Sequence, residues 1–305
     1  MATVAPGAPT ISGETIVRNI NINDPVVVQR VIQTLVNLRL IGKKLLKGRV
    51  DMTGTGSAIF TSNESLYMNQ ASERIADNAD YPLADDANGT PTLVSADKWA
   101  LATEISDVLI SRRRYSEVAR KLVRLANQIT KDFDSVALSA IATAVTQTQA
   151  VTAGVWTGAS SDPFADVMLA AALIDEQNRG WNADTVVCRP MAWAYLVSRA
   201  KVLDHLPREQ ASAVLSGNLV QFAGMTFLKT TNMPAGTDVM VMDSNALGSV
   251  AYEDQGGNYT GSAEDVQSKT FRREGNDGVR IQARLVNVPM IQEAGSAVEL
   301  TGVLS

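Results

Sequence analysis

The chain has 305 residues, 45% of them hydrophobic and 5% aromatic, with a formal net charge of −5. That length and apolar content allow one large domain or two modest ones, and the acidic balance argues against general wrapping of nucleic acid. No run approaches the roughly 18 consecutive apolar residues of a membrane span, the opening MATVAPGAPTISGE lacks a signal-like basic start and apolar core, and a lone cysteine excludes an internal disulfide.

Residues 1 to 23 mix Pro, Gly, Thr and Asn and read as an extended arm. Asp24-Pro25 supplies a cap and a first-turn proline for a helix reaching about Leu40. Val28, Val31, Ile32, Leu35 and Leu38 give that helix one apolar stripe. Gly42 and KKLLKGR close the segment, and DMTGTGSAIFTS turns strand-like from residue 51. Between Leu66 and Ile110 the pattern predicts a long hairpin with a broad acidic tip. Its outgoing limb is SLYMNQASERIADNADYP. In its returning limb Trp99, Leu101 and Ile105 alternate with polar and small residues, the period of a half-buried strand. Tyr81-Pro82, Asp85-Asp86 and Asn88-Gly89 are turn signals between them. A two-stranded hairpin is marginal alone in water and its edges invite pairing, so this arm needs a surface to lie on.

Tyr115 to about Thr146 carries Tyr115, Val118, Leu122, Leu125, Ile129, Phe133, Val136, Ala140 and Ala144 at spacings of three and four. This predicts one helix of roughly 45–50 Å, a beam across the molecule; the alternative is two helices with a break near Gln128. After a Gly/Thr/Ser linker, Asp162-Pro163 starts a helix to Arg179, stopped by Gly180. ADTVVC is a short strand whose Cys188 reads as a small buried hydrophobe, and a free thiol fits a reducing cytosol. Pro190 opens another helix, and PREQASAVLSG is a third. LVQFAGMTFLKT, VMVMD and SVAYE are strands, with NMPAGTD turning into the second. VQSKTFRRE, VRIQARLVNVPMIQ and AVELTGVL complete a β-rich tail. The fold class is therefore α+β, with an α/β module at about 160–240 inserted between the long helix and a C-terminal set of strands.

Charge is segregated along the chain. Residues 1–50 hold seven cations against Glu14 and Asp24, and residues 64–97 hold seven acids against Arg74. Residues 111–131 are basic again, with Arg112, Arg113, Arg114, Arg120, Lys121, Arg124 and Lys131 against Glu117. Catalytic chemistry is sparse. His205 beside Asp204 is the lone histidine, and no HExxH, paired CxxC or calcium-loop spacing offers a metal site. No GxxxxGK or GxGxxG cradles phosphate, and no GxSxG places a serine nucleophile. Asp51-Met-Thr-Gly54 has no second copy to form an aspartic dyad. Aromatics do not interleave with Lys/Arg as in a single-strand binder. Neither an enzyme site nor a cofactor is expected.

Three stretches carry a family resemblance. YPLADDANGTPTLVSADKWALATEISDVLI is similar to an extended loop with its returning strand, EVARKLVRLANQITKDFDSVALSAIATA to a spine helix, and FAGMTFLKTTNMPAGTDVMVMDSNALGSVAYED to a strand–turn–strand exit from an axial domain. In order and pattern the chain resembles, over roughly residues 15–300, the major capsid proteins of tailed double-stranded DNA bacteriophages, the Hong Kong 97 fold family. The resemblance implies an N-terminal arm with a short helix (1–50), a peripheral-domain strand region (51–63) and an extended β-hairpin loop (64–106). It further implies a spine helix (107–150), an axial domain (151–245) and a peripheral β region (246–305). It implies self-assembly as pentamers and hexamers into an icosahedral head in the host cytoplasm, enclosing double-stranded DNA without sequence-specific contacts.

In that setting the acidic hairpin, through Asp77, Asp80, Asp85 and Asp86, would lie on an adjacent copy. Arg112, Arg113, Arg114, Arg120 and Arg124, or the N-terminal arm, are candidate partners. The resemblance also implies a portal and, unless the sequence is a processed form, a separate scaffolding protein in place of a long N-terminal scaffold; it leaves open whether decoration proteins bind. Some members join subunits through a lysine on the extended loop; residues 64–97 hold no lysine and Lys98 lies only at the base, so no such crosslink is expected. The competing readings are an encapsulin-type compartment shell of the same fold, a soluble α/β enzyme centred on residues 160–240, and a tail or adhesin subunit.

Overall fold

The computed structural model describes residues 11–12, 15–16, 25–62, 67–77, 79–84, 89–112, 115–158, 160–198, 221–222 and 224–304. In chain order these form β1 (Ile11–Ser12), β2 (Thr15–Ile16), α1 (Pro25–Arg39), α2 (Gly42–Leu45), β3 (Gly48–Asp51) and β4 (Ser57–Ser62). Next come β5 (Thr90–Ser95), β6 (Asp97–Ser106), α3 (Asp107–Ser111), α4 (Tyr115–Ala144), β7 (Thr148–Ala150) and α5 (Pro163–Asp175). The remainder is β8 (Thr185–Cys188), α6 (Pro190–Ser198), β9 (Gln221–Phe222), β10 (Met225–Lys229), β11 (Val239–Met242), β12 (Gly248–Tyr252), β13 (Gln267–Arg273), β14 (Gly278–Ile291) and β15 (Ala297–Thr301). Most of the N-terminal arm, the expected helix PREQASAVLSG and His205 lie outside the described residues.

Two sheets organise the chain. The first runs β7-β15-β11-β8-β10-β9. Its central strands β8 and β11 are buried at every position, which is why TVVC and VMVM are continuous apolar runs and not alternations. One face, with Val186, Cys188, Val239, Val241, Val298 and Leu300, packs under α5 and α6. The other face, with Val187, Met240, Met242 and Ala297, joins the core shared by α1 and α4. The second sheet is built on β14, which holds β13 and β12 in succession along one edge and β6 along the other. β3 adds in parallel to β12.

The long helix is unbroken from Tyr115 to Ala144, so a break near Gln128 is excluded. Its deeply buried stripe is Leu122, Leu125, Ala126, Ile129, Phe133, Ala137, Leu138 and Ile141, continued by Val145 just past its end. Past Phe133 the stripe lies one position beyond the expected Val136, Ala140 and Ala144, which are half-buried. Contact with α2 sets that rotation: a Cβ on Gly42 would stand 2.9 Å from the Ala137 Cβ, so only glycine lets the two helices approach so closely. Each large side chain fully buried in this stripe contributes about 1.5–3 kcal/mol.

Asp134, also on this face, caps α2 from outside: its carboxyl oxygen accepts from the Ile41 N–H at 3.0 Å and the Gly42 N–H at 2.8 Å. Burial pushes its carboxyl up to about 6, against the pull of those two N–H groups and Lys44. The folded chain thus holds this proton to higher pH than the unfolded chain does. The resulting stabilisation is complete below the ordinary value of 3.8 and is lost as pH rises through about 6. Its size is on the order of 3 kcal/mol. Asp134→Asn keeps the accepting oxygen, so urea unfolding at pH 4, 5, 6 and 7 should show the variant gaining on the wild type across this window. Parallel stability profiles for the two proteins would contradict the assignment.

Three expectations are corrected. The hairpin limbs are β4 and β5, paired antiparallel from Ser57↔Ser95 to Ser62↔Thr90, not residues 65–82 and 98–106. The strand containing Trp99 and Ile105 pairs instead with β14, from Asp97↔Asn287 to Ser106↔Gly278, a place in the sheet that lays its apolar face on the core built with α4, which an outgoing limb of polar residues does not offer. The last strand, β15, lies between β7 and β11 in the six-stranded sheet and not with the peripheral strands. Finally, α5 ends at Asp175, a turn before Arg179, since Asn178 already adopts φ 53°.

Candidate functional site

The segment between β4 and β5 is the arm. Where it leaves the body, the β4–β5 ribbon has two unlike faces. Ala58, Phe60 and Val94 turn inward onto Met52, Ala251 and Met290. Ile59 and Leu93 are register partners on the other face, 72% and 69% exposed. Farther out, Met68, Tyr81 and Leu83 are exposed, Leu83 to 95%. The described arm residues fold around a hollow of about 390 Å³ lined in part by Met68, Ile75, Tyr81 and Pro82. At its base the Tyr67 hydroxyl donates to the Asn178 carbonyl at 2.6 Å.

Of the charged residues singled out from sequence, Asp77 and Asp80 are exposed on this arm, and Arg112, Arg120 and Arg124 are exposed at and along the start of α4. No ion pair within the chain joins these described acids to these described arginines, so the structure does not bring the two groups together in one copy. Asp85, Asp86, Arg113 and Arg114 lie outside the described residues. Nearby charges that sequence reading did not pair are matched within the chain. Arg272 meets Asp107 at 2.8 Å and Arg273 meets Glu104 at 2.5 Å. Lys121 donates to the Glu104 carbonyl at 2.6 Å. Of the described arginines singled out from sequence, Arg112, Arg120 and Arg124 stay exposed and outside these pairs, a basic surface open to a partner.

A second apolar surface covers the six-stranded sheet. Both α5 and α6 are apolar nearly all round, and Met168, Leu169 and Met191 point outward. The one charged side chain inside α5 before its last residue, Asp166, is fully buried. Its carboxylate accepts from the Thr152 N–H at 2.9 Å, the Thr152 hydroxyl at 2.5 Å and the Trp156 indole N–H at 2.9 Å. This network holds the 151–161 linker against the helix. Elsewhere, Arg284 is buried with its Nε on Gln267 and its guanidinium 3.8 Å above the Tyr259 ring. Lys47 crosses to Asp184, whose carboxylate also takes the Ser244 N–H and hydroxyl. None of these three buried or bridging groups was visible from sequence: Asp166 and Arg284 meet their partners only once nearby segments fold back on them, and Lys47 meets Asp184 from far along the chain.

Reactive chemistry does not converge. Among the described residues, no group of three or more His, Cys, Asp or Glu is placed to hold a metal ion. Burial pushes the Cys188 thiol up to about 12, so it packs as a hydrophobe and is not a nucleophile. No helix of the described residues is long and apolar enough to cross a membrane.

Residues 89–297 match the family model described as "phage capsid protein". No curated protein sequence matches the chain. Among solved structures, the capsid of cyanophage P-SCSP1u aligns with a TM-score of 0.61 at 16% identity, covering 87% of this chain and 89% of that one. A virus-like particle from Pyrococcus furiosus aligns at 0.58 and 14%, covering 90% and 97%. Mycobacterium phage Che8 aligns at 0.52 and 16%, covering 82% and 85%. At such identities the structural likeness speaks for a shared fold, and the family match covers most of the chain.

Proposed function

The chain belongs to the phage capsid protein family, with the Hong Kong 97 fold, and we propose that it closes as pentamers and hexamers into an icosahedral head around double-stranded DNA. It is a structural shell protein. The observation that carries the finer reading is the arm: a ribbon presenting Ile59 and Leu93 to solvent, with Asp77 and Asp80 exposed and, among the described residues, not ion-paired to Arg112, Arg120 or Arg124. A neighbouring copy supplies the missing surface. Apolar area buried at repeated contacts provides most of the stabilisation, and Asp77 and Asp80, with Asp85 and Asp86, pair with the basic ridge of Arg112, Arg120 and Arg124 to set register. The apolar faces of α5 and α6 meet further copies around the ring axes. Net acidity helps keep packaged DNA from adhering to the wall. A scaffolding protein and portal take part in assembly in the host cytoplasm, no cofactor is needed, and the chain has no catalytic role.

The second reading, a cellular compartment shell, draws on the likeness to the Pyrococcus furiosus virus-like particle. DNA content separates the two. Particles purified from infected or induced cells should hold nuclease-protected double-stranded DNA of one length; particles of the same diameter filled with protein and free of DNA would favour the compartment.

A further inference from the structure

The turn after α5, residues 176–181, contacts two parts of the chain that a shell subunit must hold in relation to each other. Asn178 and Gly180 both adopt left-handed backbone, at φ 53° and 72°. The Asn178 carbonyl accepts the Tyr67 hydroxyl at 2.6 Å, tying down the outgoing base of the arm. The next side chain, Arg179, reaches another part of the chain: its Nη1 meets Glu293 Oε2 at 2.6 Å with both side chains mostly buried, and its guanidinium lies 4.9 Å from the Trp181 ring centre. Trp181 in turn packs on Gly295, where an added Cβ would stand 3.1 Å from the ring. Glu293 and Gly295 belong to the link between β14 of one sheet and β15 of the other. The turn thus joins the arm to the crossover between the two sheets.

We propose that this turn is the anchor that sets the arm's angle, and that Tyr67 is the positioning residue through which it acts on arm docking. The inference rests on the assembly reading above. The hydrogen bond is on the surface, and one such bond is too weak to decide whether the chain folds. Its consequence is orientational. Beyond the β4–β5 ladder the described arm residues form no helix or strand, and an arm free to swing must be ordered at the moment of docking, which weakens binding. A closed shell also needs the same curvature at every contact, so a spread of arm angles becomes a spread of shell sizes or unclosed sheets. The hydroxyl acts in the free subunit, before any partner is present, and that makes the anchor separable from assembly.

The test uses the full chain carrying Asp80→Cys and Asp175→Cys, both exposed positions, with paired spin labels; buried Cys188 stays unlabelled. In unassembled protein the distance distribution should be a single narrow peak, and Tyr67→Phe should widen it at least twofold while the urea midpoint stays unchanged. Equal widths with and without the hydroxyl overturn the anchor. In the unlabelled chain, Tyr67→Phe should give particles of mixed diameter where the wild type gives one. A widened distribution with particles of normal diameter would show that the turn holds the arm but does not govern docking, overturning the positioning role. A wild-type chain that never assembles fails the assembly reading instead, and leaves the distance measurement to decide the anchor.

Discussion

Replacing Ile59 with Asp and Leu93 with Lys should abolish shell formation and leave the subunit folded. The two side chains stand opposite each other across the β4–β5 ladder on its exposed face. Opposite charges at such a pair are mildly favourable within one copy, so the unfolding midpoint in urea should move by less than the equivalent of about 1 kcal/mol. At a contact between copies the same change removes two apolar anchors, about 1.5–3 kcal/mol each when buried. It also forces two charges to lose water at a cost of several kcal/mol more. Every copy in the shell repeats that penalty. Particles should vanish from the fast-sedimenting fraction and the protein should accumulate in the slow one. Asp80→Lys, altering an exposed charge alone, should slow assembly in low salt and have little effect in high salt. Normal particles from the Asp/Lys pair would remove the ribbon from the interface.

Asp166→Ala should cost the subunit about 3–5 kcal/mol, the largest stability effect expected of a single polar substitution here. The carboxylate is fully buried and serves three donors. Without it the Trp156 indole N–H and the Thr152 N–H are left facing an apolar cluster that includes Val167, Ala170 and Val303. The linker 151–161 then loses its attachment to α5. Asp175→Ala, on the same helix but exposed, is the control and should change stability by less than about 0.5 kcal/mol. Denaturant unfolding of both variants decides it, and equal midpoints would mean the buried network contributes nothing net.

Elements whose pattern is local were readable from the residues. The α4 repeat announces itself at spacings of three and four, and VVC and VMVM announce buried strands by being apolar at every position. Pairing was not readable. The strand with Trp99 and Ile105 finds its partner at residues 278–287, and no local pattern encodes a ladder across such a separation. The β4–β5 ribbon hid for a different reason: SAIFTS has Phe60 pointing in and Ile59 pointing out, so neither face is polar and alternation gives no sign of which is buried. The segregated charges were plain, and so was their implication of a partner. Which cations remain free was not, because Glu104 and Asp107 reach Arg273 and Arg272 only through the tertiary fold.

The most direct test of the central claim is sedimentation velocity of the full chain, alone and with scaffolding protein from the same source, followed by electron microscopy of any heavy fraction. Closed, round shells of a single diameter, built from rings of five and six copies, are the predicted result. A species that stays at one or a few copies under both conditions would contradict the claim that this chain exists to enclose a genome.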